Sequence, residues 1–108
     1  MTQIRRITIF KIPEAAHVKE ACDAFTALSQ SALKEGKPYI LESHATAAHE
    51  DPRSQGFNFV AHLLFASKED MDFYDNECQA HVDIKKKLTG KIGGPPLMLY
   101  MDSPSVPN

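Results

Sequence analysis

The chain is short of cysteine, of net charge, of long apolar runs and of repeated sequence, and each shortage closes a route. Cys22 and Cys78 are too few for a disulfide framework, and neither stands in a C-x-x-C or zinc-type spacing. No apolar run approaches the length that spans a bilayer. The opening Met1-Thr2-Gln3-Ile4-Arg5-Arg6 leads into an apolar stretch too short for a secretory signal, so a reducing, cytoplasmic setting is expected. A formal net charge of −2 leaves no broad electropositive field for nucleic acid, which needs clustered lysine and arginine. The one basic run, Lys85-Lys86-Lys87 with Lys91 nearby, is interleaved with Ile84 and Leu88 and reads as a solvated helix face. With no repeat, linker or low-complexity segment, the 108 residues read as one domain over 1–102 and a frayed tail over 103–108. A domain this small buries only about two-thirds of the surface its unfolded chain exposes, so docking a second copy would add apolar burial.

What is present is a clear succession of periods. Residues 4–12 form a β-branched strand that is apolar on both parities at Ile7-Thr8-Ile9-Phe10. Pro13 ends that strand and suits the first turn of a helix. Over 14–34 Val18, Cys22, Phe25, Leu28, Ala32 and Leu33 recur at helical spacing, and Gly36 with Pro38 stops the helix. A second strand runs over 39–46, with Tyr39, Leu41 and Ser43 on one face and Ile40, Glu42 and His44 on the other. After a loop over 47–56, residues 57–66 give the strongest strand. Phe57, Phe59, Ala61, Leu63 and Phe65 line one face of it, and Val60, His62 and Leu64 the other. Ser67 caps the next helix with Asp70 as a capping-box-like partner; a break falls at Asp75-Asn76, and the helical period resumes through His81, Ile84 and Leu88. Gly93-Gly94-Pro95-Pro96 is a turn, and residues 97–101 form a last strand.

The order β-α-β-β-α-β is that of an α+β, ferredoxin-like domain: a four-stranded antiparallel sheet with helices on one face. If the strands are apolar on both faces, the helix-free face is a large bare patch in a monomer. A second copy packed sheet to sheet removes it, so the expected partner is the chain itself, as a homodimer.

Several segments carry a family resemblance. They are Ile7-Thr8-Ile9-Phe10-Lys11, Gly56-Phe57-Asn58-Phe59 and, most tellingly, the stretch from Phe65-Ala66-Ser67 to Asp72-Phe73-Tyr74 followed by Gln79-Ala80-His81-Val82. Together they resemble the stress-responsive dimeric A/B barrel (Dabb) family over residues 4–102. The last stretch is similar to the family's aromatic helix, short Pro-Ala-His turn and closing helix. Cys78-Gln79 stands where the family has Pro-Ala, and one extra residue separates Tyr74 from His81. The resemblance implies a ferredoxin-like protomer whose sheet closes into a dimeric α/β barrel. It also implies roles ranging from stress-associated proteins to plant polyketide cyclases. In the cyclase branch a Tyr and a His matching Tyr74 and His81 are the catalytic pair. Further pocket histidines of that branch fall at Arg6 and Phe59 here, so two positions support a cyclase and two undercut it.

Tyr74 and His81 are seven residues apart. On an unbroken helix they share an azimuth to about 20° but stand roughly 10 Å apart along the axis, too far for a direct hydrogen bond, unless the break at Asp75-Asn76 shortens that distance or a ligand lies between them. As a pair, an imidazole that takes a proton and a phenol that steadies a carbonyl oxygen supply what an aldol-type ring closure needs, with no cofactor. The plainer alternative is two semi-buried core residues whose polar tips reach backbone or water. Arg6 binds a polar or carboxylate group of a ligand, or lies at the strand's exposed end, or pairs with an acid such as Glu42. His44, His49 and His62 match no ligand spacing, so no metal is expected, and Cys78 at a helix start reads as packing. Phe10, Phe25 and Phe59, with Ala61 beside them, line an apolar pocket if the packing leaves a gap between sheet and helices. The preferred reading is a homodimer that holds a small apolar or aromatic molecule there. A cofactor-independent cyclase or aldol-type enzyme and a purely structural dimer are the alternatives.

Overall fold

A computed structural model describes residues 2–103 of the chain. The elements in order are β1 (Gln3–Phe10), α1 (Ala15–Ser31), β2 (Leu33–Lys34), β3 (Lys37–Pro38), β4 (Ile40–Ala47), β5 (Phe59–Phe65), α2 (Lys68–Glu77), α3 (Gln79–Leu88) and β6 (Leu97–Ser103). Strands β4, β5, β1 and β6 lie side by side in that order as one antiparallel four-stranded sheet. This is the α+β, ferredoxin-like arrangement, and the helices cover one sheet face.

The period of β1 decides which residues meet the helices. Ile4, Arg6, Thr8 and Phe10 are buried, while Gln3, Arg5, Ile7 and Ile9 alternate with them on the open face. On β5, Phe59, Ala61, Leu63 and Phe65 face inward opposite Phe10, Thr8, Arg6 and Ile4. Helix α1 offers Ala21, Phe25 and Leu28, one stripe at helical spacing, and Phe10, Phe25 and Phe59 meet ring to ring at 5.8 to 6.0 Å. The Ser43 hydroxyl donates to the Phe25 carbonyl and ties strand to helix. Beyond the end of β1, the Asn58 amide exchanges two 2.8 Å hydrogen bonds with the Ile12 backbone, standing in for a ladder pair and keeping Ile12 buried.

Several expectations need correction. Helix α1 ends at Ser31, not at residue 34, and Pro13 lies one residue before its Glu14 N-cap instead of inside its first turn. Leu33 and Lys34 leave the helix to pair with Lys37 and Pro38, and Leu33 is exposed. The positive φ of Glu35 and Gly36, 53° and 78°, makes the segment a tight hairpin turn, so the glycine serves a hairpin and not a helix end. The simple alternation expected over 39–46 is broken by a bulge between Ile40 and Glu42, which leaves Ile40, Ser43 and Ala45 buried and Leu41 exposed. Ser67 does cap α2, accepting from the Asp70 N–H, but the Asp70 carboxylate accepts from Lys34 at 2.8 Å instead of closing a box. Ser103, expected in the tail, ends β6; residues 104–108 lie outside the described residues.

The helix-free face is divided. The registers put Ile7, Ile9, Val60, Leu64, Leu97, Leu99 and Met101 on it as an apolar band over β5, β1 and β6. Toward β4 the face turns polar, with Arg5 paired to Glu42 and the His44 and His62 rings stacked at 4.7 Å. The expectation of a sheet apolar on both sides therefore holds for the band and fails along β4. Strand β6 is exposed on both its faces, Leu99 at 55% and Tyr100 at 48%. Among the described residues no helix is long and apolar enough to cross a membrane.

Candidate functional site

Between the sheet and α3 lies a cavity of about 390 Å³. Its wall is built from β1 (Arg6, Thr8, Phe10), α1 (Phe25), β5 (Leu63), α2 (Tyr74), α3 (His81, Ile84, Lys85, Leu88) and the segment after α3 (Thr89, Ile92, Pro96). Of the residues expected to line a pocket, Arg6, Phe10, Phe25, Tyr74 and His81 do so. Phe59 and Ala61 do not: both are fully buried in the core and form no part of the wall. Ile84 and Leu88, the apolar stripe of α3, supply the facing wall; their period was readable, but the sheet position they would face was not.

The chemistry concentrates at one end. Helix α2 does not run on into α3; Cys78, with extended backbone at φ −83° and ψ 116°, ends one and begins the other. The break therefore falls at Cys78 and not at Asp75-Asn76. It folds α3 back so that the Tyr74 and His81 rings stack at 3.8 Å, 11° from parallel. The separation of an unbroken helix therefore does not apply: a break shortens it, though it falls at Cys78. Cys78 itself is buried.

The same turn fixes the imidazole. His81 Nδ1 lies 2.9 Å from the Tyr74 backbone carbonyl. A carbonyl oxygen only accepts, so Nδ1 carries the proton and Nε2 keeps the lone pair. Burial holds the His81 pKa below its ordinary value, so the ring is neutral at pH 7. The Tyr74 phenol is pushed the other way, above its ordinary range, by burial against the opposing pull of Arg6. It stays a neutral hydrogen-bond donor. A neutral base beside a neutral donor suits abstraction of a proton next to a carbonyl, with the donor on the oxygen that gains charge.

Arg6 is neither at an exposed end nor paired with Glu42. Its side chain is 10% exposed, its Nη1 donates to Asp75 Oδ1 at 2.6 Å, and its guanidinium lies 5.3 Å from the centre of the Tyr74 ring. Glu42 pairs instead with the neighbouring Arg5, whose side chain the pleat sends to the opposite face. Asp75 also stands 3.9 Å from His81 Nδ1, beyond hydrogen-bond reach, so the carboxylate pairs with the arginine and only neighbours the histidine. This role for Asp75 was missed; its place right after Tyr74 was the available signal. The remaining histidines are elsewhere, His17 on α1, His44 and His62 on the helix-free face and His49 on an exposed loop. Among the described residues no cluster of His, Cys, Asp or Glu could hold a metal.

The Stress responsive A/B Barrel Domain (Dabb) family matches residues 4–92. The chain belongs to that family. Over 86 residues this Dabb domain is 37% identical to the "Fusaristatin A biosynthesis cluster protein" of Gibberella zeae. The match takes in 80% of this chain but only 62% of that relative. Among solved structures, the hydroxynitrile lyase of Passiflora edulis superposes with a TM-score of 0.75 at 12% identity, covering 98% of this chain and 97% of the lyase. A dimeric ferredoxin-like protein of unknown function from Thermobifida fusca superposes at 0.73 and 12% identity, covering 94% and 92%. At these identities the two structures support the Dabb fold alone.

Proposed function

We propose that this Dabb domain is a homodimer that holds a small apolar or aromatic molecule between its sheet and helices. The observation that carries the reading is the cavity of about 390 Å³, whose wall includes the apolar side chains of Phe10, Phe25, Leu63, Ile84 and Leu88. A purely structural dimer has no use for such a void, which forfeits packing contacts. A relative named for a biosynthesis cluster supports a small-molecule role. Dimerisation through the helix-free face is supported by its apolar band, with Leu97 50% and Leu99 55% exposed, and by dimeric proteins of the same fold. The unpaired Cys22 and Cys78 fit a reducing, cytoplasmic setting.

The cavity is tested with 1-aminoanthracene, a neutral apolar fluorophore. It should bind the wild-type protein, and Ile84→Trp, which fills the void, should weaken binding about tenfold or more. Equal binding by the two proteins rejects this pocket as the site. For the dimer, light scattering at micromolar concentration should give twice the protomer mass, and Leu99→Asp should give monomers. A folded wild-type monomer at that concentration rejects the dimer.

The stacked Tyr74 and His81, with His81 Nε2 free, favour a second reading: a cofactor-independent enzyme of the cyclase, aldol or lyase type. His81 is its general base and Tyr74 its oxygen-steadying donor. In that case His81→Ala abolishes turnover while ligand affinity stays within about tenfold. Unchanged turnover in the variant removes the enzyme reading.

A further inference from the structure

The lining of the cavity carries charge of one sign. Arg6 and Lys85 line it, and no aspartate or glutamate does. Asp75 pairs with Arg6 but stands outside the wall, so it holds the guanidinium from behind without closing off its cavity side. An arginine has five N–H donors, and among the hydrogen bonds of the described residues Arg6 uses one, from Nη1. The guanidinium is nine-tenths covered, yet its unused donors are not among the fully buried unpartnered atoms of the described residues, so they stay open to an acceptor that enters the cavity. His81, neutral at pH 7, adds no charge that would alter the balance.

We propose that the ligand of this cavity is a small apolar carboxylic acid, bound as the carboxylate by the free donors of Arg6 while its hydrocarbon part lies along Phe10, Phe25 and Leu88. The proposal rests on the cavity being the binding site. A carboxylate matches the planar fork of a guanidinium in a way that an alcohol or amide does not, and its charge balances a positively charged wall. Asp75 is a positioning residue: its single bond to Nη1 orients the fork, and its own negative charge moderates the pull on the ligand.

Octanoate and octanamide, equal in length and differing in charge, test this by titration calorimetry at pH 7. Wild type should bind octanoate about tenfold or more tighter than octanamide, since a charge-assisted pair exceeds a neutral one. Arg6→Gln should bind both alike, the loss falling mainly on octanoate. Asp75→Asn keeps an acceptor for Nη1 but removes the competing charge, so it should widen the preference for octanoate. That variant carries the test if Arg6→Gln fails to fold. Wild type binding octanamide as well as octanoate overturns the proposal and leaves the apolar pocket standing, as does a preference that survives in Arg6→Gln or fails to widen in Asp75→Asn. Wild type binding neither compound at millimolar concentration overturns the pocket reading, and the acid with it.

Discussion

Arg5 and Arg6 are neighbours in sequence with the same side chain, and the sheet gives them opposite lives. Arg5 points to the helix-free face and meets an exposed Glu42 at 3.3 Å. Arg6 points under the helices, meets Asp75 at 2.6 Å and lies by the Tyr74 ring. A one-residue step along a strand changes the surroundings from high to low dielectric, where the same pair interacts more strongly and an unpaired charge is far more costly. The contrast extends to the whole sheet. The covered face holds one neutral histidine fixed to a backbone carbonyl beside a cavity, whereas the open face holds two stacked against each other on its surface. Chemistry concentrates where the pleat and the break at Cys78 exclude water, and association belongs to the other side.

The largest effect that sharpens this contrast is in the strand next to β1. Phe59 and Val60 are adjacent, one buried against Phe10 and Phe25 and one half-buried on the open face. Phe59→Ala should cost about 3–5 kcal/mol in urea unfolding, and Val60→Ala about 1 kcal/mol or less. If a second copy covers the open face, the Val60→Ala cost should depend on protein concentration and the Phe59→Ala difference should not. Equal costs for the two variants would erase the distinction between the faces. The arginines follow at smaller scale. Arg6→Ala should cost about 2–3 kcal/mol, because it strands a carboxylate and removes packing on Tyr74, while Arg5→Ala should stay within about 0.5 kcal/mol. A larger loss at Arg5 would mean that its pair with Glu42 is not the solvated contact it is here.

How legible each face was depends on how local its signals are. The β-branched run at Ile7-Thr8-Ile9-Phe10 and the alternation from Phe59 to Phe65 are local patterns, so the strands and their succession along the chain could be read directly, but not which side of them the helices cover. Helix α1 was overextended because Leu33 and Lys34 continue its period in sequence, and only pairing with Lys37 and Pro38 draws them away. The bulge at Leu41 gives no local sign and reverses the parity of everything before it. At the site, the residue types at Tyr74, His81 and Arg6 were legible, but their meeting was not. It depends on Cys78 leaving helical geometry two residues after the position where Asp75-Asn76 suggests a break. For the same reason Phe59 and Ala61 were assigned to the pocket: composition shows that a residue is buried, not which buried residues border a void.

The smallest expected effect separates the faces by proton binding. Burial holds both His62 and His81 below the ordinary histidine value of 6.5, and His44 and Arg5 push His62 further down. In each case the folded protein disfavours the charged ring, so the unfolded chain takes up protons first as the solution is acidified. Stability linked to the two rings is therefore complete above pH 6.5 and is lost as pH falls below it. The urea midpoint should drop between pH 7 and pH 5, by less in His81→Gln than in wild type. The two histidines then part company on dilution. His81 is buried by its own chain, so its NMR titration should be the same at every concentration. His62 lies on the face assigned to a second copy, whose cover would lower it further than its own chain does, so it should rise as dimers dissociate while staying below 6.5. A His62 midpoint that ignores dilution across the dimer-to-monomer range would mean that the twin does not cover the histidine pair, and would confine the interface to the apolar band of β1 and β6.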